Sequence, residues 1–173
     1  MRVRTRETDT VMSSAIHRQH MILTGWKCGN CGKLITTIEE GRVEWLVTLD
    51  NQGETKVRGL RLVHNLCRYD ERGEFRKNES LVEGLPLERF VGPDGLMLLL
   101  SLIAQVEMPR AELLELVKRV QIPGYEQTRE LFYDAIHGGA VAPLIGDGFY
   151  TQSEIHELLN WALTAVPSLD DCH

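Results

Sequence analysis

The sequence of 173 residues predicts an α+β fold, in which a small metal-holding β module precedes a compact bundle of about four helices. Three observations carry that expectation. Apolar residues before about position 77 alternate or are β-branched, whereas after Pro86 they recur at helical spacing. A Cys-x2-Cys turn marks the first part as a metal module. Charge divides the chain at the same place. Residues 1–92 hold 15 Lys+Arg against 13 Asp+Glu, a net of +2, and residues 93–173 hold 4 against 12, a net of −8. The expected organisation is a mobile N-terminal arm at 1–20, the β module at 21–77, a linker at 78–92 and an acidic α-helical domain at 93–173.

Each element has its own local reason. Val43-Glu44-Trp45-Leu46-Val47-Thr48-Leu49 combines β-branched and aromatic residues, Asp50-Asn51-Gln52-Gly53 supplies a turn, and Thr55–Val63 resumes extended character. Tyr69–Ser80 is polar and reads as an exposed loop. Leu96–Val106 is so uniformly apolar that it suggests a buried central helix. Pro109 then opens a helix with Leu113, Leu114, Leu116, Val117 and Val120 on one stripe, stopped by Ile122-Pro123-Gly124. Tyr125–His137 is expected as one further helix, ending at Gly138-Gly139, before an apolar loop over 140–150. Thr151-Gln152-Ser153-Glu154 has the form of a capping box for a last helix carrying Ile155, Leu158, Leu159 and Ala162.

Cys28 and Cys31 carry the most definite chemistry. Thiolates two residues apart suit a tetrahedral Zn²⁺, and glycines beside them let the backbone turn its amides toward sulfur. His64 and Cys67 repeat the spacing after 32 intervening residues, which completes a Cys3His set. Four protein ligands leave no position for water or substrate, so the expected cofactor is a structural zinc ion. A thioredoxin-like redox pair would open a helix, whereas here Gly29 and Gly32 weaken one and strands follow.

The order Cys28-x2-Cys31-Gly32-Lys33, Gly41-Arg42-Val43-Glu44-Trp45, Arg61-Leu62-Val63-His64, Cys67 resembles a zinc ribbon, and is similar to small bacterial zinc-ribbon proteins of unknown function. The resemblance covers residues 26–69. It implies a fold and a metal but no activity, because ribbons serve many processes. The second pair departs from the commoner Cys-x2-Cys form at His64.

Several function classes find no support. No phosphate-binding loop, dinucleotide fingerprint, nucleophile elbow or His-Glu-x-x-His motif occurs, so no catalytic residue is proposed. The start of the chain shows no signal-peptide apolar region, and its longest apolar run is too short to span a bilayer, so a soluble cytoplasmic protein without membrane partners is expected. The expected function is that of a non-enzymatic, zinc-stabilised protein-binding or regulatory protein, with the acidic helices contacting a protein partner. One alternative is a nucleic-acid-binding regulator that uses Arg58, Arg61, Arg68, Arg72, Arg76 and Lys77 beside the metal. Another is a small metalloenzyme in which His64 is not a ligand and the metal keeps an open position.

Overall fold

A computed structural model describes residues 25–67, 81–105, 108–146 and 148–165. The expected arm at 1–20 and the loop over Tyr69–Ser80 lie outside the described residues. Among those described, two antiparallel sheets precede five α-helices, so the α+β class holds. Strands β1 (Trp26–Lys27) and β2 (Leu34–Ile35) make a two-residue ladder that pairs Trp26 with Ile35 and Lys27 with Leu34. Strands β3 (Gly41–Leu49), β4 (Thr55–His64) and β5 (Leu81–Pro86) form the second sheet in the order β4-β3-β5.

The β3–β4 hairpin turns where its sequence says it should. Asp50 Oδ1 accepts from the amides of Gln52 and Glu54 at 2.8 and 2.9 Å, and Gly53 takes a positive φ of 81°. Pairing runs from Leu49↔Thr55 to Gly41↔His64, with one irregularity between Glu44 and Leu46. There Gly59 and Leu60 face the single residue Trp45, and Gly59 has φ 69°, which makes this a bulge. The Leu60 amide, released from the ladder, donates instead to Glu112 Oε2 at 2.6 Å on the helical side.

The stretch expected to be a linker is built differently. Residues 81–86 are strand β5, paired with β3 from Val47↔Leu81 to Arg42↔Pro86, and Leu87–Phe90 is a 3-10 turn with Leu87 and Phe90 fully buried. Gly84 and Pro86 read as loop residues in the sequence, yet both suit an edge strand, where one flank needs no ladder. Helices α1 (Gly92–Gln105) and α2 (Arg110–Gln121) follow, and Leu99 and Leu116 join Cys28, Ile35, Val43, Leu62, Leu87 and Phe90 in one core. The sheet and the first two helices therefore bury a common apolar surface rather than two surfaces across a linker.

Helix α1 is not buried all round, as its composition suggests. Leu98, Leu99 and Leu102 face the shared core, while Leu96, Met97 and Leu100 remain 37, 66 and 47% exposed. The expected helix over Tyr125–His137 is two helices, α3 (Tyr125–Thr128) and α4 (Phe132–His137). At the break the Thr128 hydroxyl shares its proton between the carbonyls of Gly124 and Tyr125, and the Leu131 amide reaches Thr128 O at 2.8 Å in a tighter i→i−3 bond. The last helix, α5 (Gln152–Ala165), starts on the capping box: Glu154 Oε2 accepts from the Thr151 amide at 2.6 Å, and Thr151 Oγ1 accepts from the Glu154 amide at 3.3 Å. Tyr125, Phe132, Ala135, Val141, Ile155 and Leu158 make a second, smaller core, with the Phe132 and Tyr150 rings stacked.

Gly95 tests how α1 meets the 3-10 turn that leads into it. It is buried, and a Cβ there would run into the Phe90 carbonyl group. Alanine favours a helix over glycine by about 1 kcal/mol, but overpacking costs about 1–3 kcal/mol. Gly95→Ala should therefore lower the urea midpoint of unfolding. A raised midpoint would mean that α1 does not lie against Phe90.

Candidate metal centre

The turn that carries the first two cysteines is closed by its own backbone. The Cys28 amide donates to Lys33 O at 2.8 Å and the Gly32 amide to Cys28 O at 3.0 Å. Gly32 sits at φ 70°, a left-handed conformation that a side chain would strain. The Gly29 amide reaches across to Leu62 O at 2.8 Å, which seats the turn against β4 two residues before His64. Beyond His64 the chain enters a 3-10 turn, Asn65–Cys67, that swings Cys67 back toward the cysteines. Asn30 Nδ2 donates to Cys67 O at 3.4 Å and Asn65 Nδ2 to Glu39 O at 2.6 Å, which fixes that turn from both sides.

These elements bring Cys28, Cys31, His64 and Cys67 together. One ligand atom from each lies within 4.8 Å of all the others. His64 Nδ1 is 3.5 Å from Cys31 Sγ and 4.0 Å from Cys67 Sγ. In a tetrahedral thiolate–imidazole centre, bonds of about 2.3 Å to sulfur and about 2.0 Å to nitrogen set ligand atoms roughly 3.5–3.8 Å apart. Closing the cluster around a metal thus needs a contraction of about 1 Å at most. His64 Nε2 lies 3.1 Å from Leu34 O. A carbonyl only accepts, so Nε2 carries the ring proton and Nδ1 offers its lone pair to the cluster. His64 is thereby oriented as a ligand, and the four residues expected from the sequence fit a metal ion.

The sulfurs differ in charge preference. Burial raises the Cys28 thiol, but the amides of Cys31, His64 and Asn30 aimed at its sulfur outweigh that and lower its pKa to about 6. The His64 amide is one of them, at 3.4 Å. Cys67 is pushed up to about 11, first by burial and then by hydrogen bonding with Cys31 and by the charge on Cys28. A divalent cation in the centre cancels that repulsion, so it is the group that allows these sulfurs to be ionised together.

The other sequence-predicted residues are not gathered here. Arg58 is exposed on β4, and Arg61 is bound to the fully buried Glu44 at 2.6 Å. Arg68, Arg72, Arg76 and Lys77 lie outside the described residues. Sequence reasoning missed Arg119 and Glu126, which hold the backbone beside Cys28. They stand seven residues apart, but the Pro123-Gly124 break between them ends the helical register that would otherwise put them on one face. Compared with protein-family models, with curated proteins and with solved structures, the chain shows no match. Among the described residues no helix is long and apolar enough to cross a membrane.

The order of ionisation is measurable. For Cys28 the pKa falls from 9.0 to about 6 on folding, so its thiolate stabilises the fold fully above 9, and that contribution is lost as pH falls through about 6. In metal-stripped protein the ultraviolet absorbance of thiolate should show one sulfur titrating near pH 6, and Cys28→Ser should abolish that step. A lowest step at the ordinary thiol range would contradict the role of the turn amides.

Proposed function

We propose that this is a zinc-stabilised protein-binding protein whose metal is structural. The observation that carries the reading is the convergence of three cysteine sulfurs and a correctly oriented imidazole within 4.8 Å. Thiolate and imidazole donors in a closed tetrahedral set favour Zn²⁺ over hard cations. The turn between β1 and β2, with ligands returned from the end of β4, supports a zinc-ribbon-like module. With His64 in the set, the metal has no coordination position left for water, which favours a structural role over a hydrolytic one.

A protein partner is favoured by two features. Residues 93–173 carry a net charge of −8, which opposes a polyanion within about a Debye length, roughly 8–10 Å. Pro93, Leu96, Met97, Leu100 and Ala104 also form an exposed, uncharged stripe along α1, of the kind that protein contacts cover. The nucleic-acid alternative has Arg58 as its exposed described cation, since Arg61 is engaged by Glu44.

Protein purified without a histidine tag should contain one zinc per chain by elemental analysis. Cys31→Ser and His64→Ala should each reduce that content and lower thermal stability, because binding energy at such a site is folding energy. Less than about half a zinc per chain after gentle purification would refute the metal reading, given the near-full occupancy of tight structural sites.

A gel-shift titration separates the two partner classes. Weak binding to DNA and RNA at about 50 mM salt is expected. Tight binding that collapses by about 200 mM salt would overturn the choice of a protein partner.

A further inference from the structure

The strand that leads into Cys28 is gripped by a buried ion pair from the helices. Arg119, near the end of α2, and Glu126, in α3, have side chains only 10 and 5% exposed. They form a two-pronged pair: Arg119 Nε donates to Glu126 Oε2 at 2.6 Å, and one terminal guanidinium nitrogen donates to Oε1 at 2.7 Å. That same nitrogen also donates to Lys27 O at 2.8 Å, and Glu126 Oε1 accepts from the Lys27 amide at 2.7 Å. Both backbone groups of Lys27, the residue before Cys28, are therefore held by one ion pair. Trp26 adds a third bond, from its indole N–H to Arg119 O at 3.1 Å, and Lys27 Nζ pairs with Glu130 at 2.7 Å.

We infer that Arg119 and Glu126 are positioning residues of the metal centre, and that through them zinc occupancy and the order of α3 depend on each other. The inference rests on the zinc reading above and adds the element to which the site is coupled. β1 and β2 are two residues each, and a hairpin of that size does not hold its shape in water. Beside the burial of Cys28 and Ile35 and the Gly29–Leu62 bond, the ligands constrain it on one side and the Lys27 clamp on the other. Each constraint orders the hairpin for the other, which makes the two cooperative. The dependence runs both ways, since a coupling free energy is shared by the sites that it joins. α3 has a matching need. It is four residues long, and Glu126 in its first turn is its tie to β1. Without the clamp a buried, charge-bearing pair loses two of its backbone partners.

The test uses the full chain and zinc as the probe. Zinc affinity is measured by competition with a chromophoric chelator for the wild type, Arg119→Ala, Glu126→Ala and a control, Asp50→Ala. Asp50 closes the β3–β4 turn by accepting from the amides of Gln52 and Glu54, at the end of that hairpin away from His64, and these bonds reach neither Lys27 nor α3. Arg119→Ala and Glu126→Ala should each weaken zinc binding about tenfold, within the usual range of site-to-site coupling, whereas the control should stay near the wild type. Equal losses in all three would mark general destabilisation and overturn the inference, as would unchanged affinity in the two clamp variants. A second measurement needs no variant: removing zinc from the wild type should speed hydrogen exchange of the Tyr125 and Arg129 amides, which bond to Ile122 O and Tyr125 O across α3, as well as of the Cys28, Gly29 and Gly32 amides. Faster exchange confined to 28–33 would overturn the coupling while leaving the zinc site intact. A wild type that takes up no zinc would sink both readings.

Discussion

A hairpin too small to persist alone sits at the centre of this structure. Two residue pairs of ladder cannot offset the entropy of ordering the turn that carries Cys28 and Cys31. The molecule surrounds that hairpin with constraints of other kinds. Ile35 and Cys28 sink into the shared core, Gly29 bonds to the neighbouring strand, and Arg119 with Glu126 grips Lys27. Of the four candidate ligands, Cys28 belongs to that core, while these contacts leave Cys31 exposed and His64 and Cys67 half-buried. Position, rather than intrinsic stability, defines the site.

How much of this was legible varies with the range of the interaction. Cys28, Cys31, His64 and Cys67 could be named because ligand spacing is a local property and metal chemistry admits few donor types. The Thr151 capping box and the helix after Pro109 were legible for the same reason, since each is decided within four residues. Strand β5 was not. Its residues, Leu-Val-Glu-Gly-Leu-Pro, carry a breaker at the fourth position and another at the sixth, and only the partner strand β3 makes them extended. The Arg119–Glu126 pair was hidden further still, because each looks like an ordinary helix-surface charge until the fold delivers the Lys27 backbone between them.

The charge reversal along the chain misled in an instructive way. It suggested two bodies, yet the core runs from Cys28 and Val43 through Phe90 to Leu99 and Leu116 without a break. Net charge describes surfaces, whereas domain boundaries follow buried apolar contacts. Charges in fact cross the supposed boundary: Glu112 holds the Leu60 amide, and Glu130 pairs with Lys27. The excess of acid after residue 93 is partly used to bind the basic and amide groups of the first half.

Helix α1 shows where this economy of contacts ends. Its core face is packed so closely that Gly95 has no room for a side chain, while its other face leaves Leu96, Met97 and Leu100 in water. The stripe is also free of charge from Leu96 to Gln105, although acidic residues are plentiful elsewhere in this half. An exposed apolar face set against that acidic background is where the protein contact proposed above would be made. The candidate ligands and this stripe lie on elements that share one core, to which Cys28 and Leu99 both contribute, so a change at either is felt through the same packed side chains.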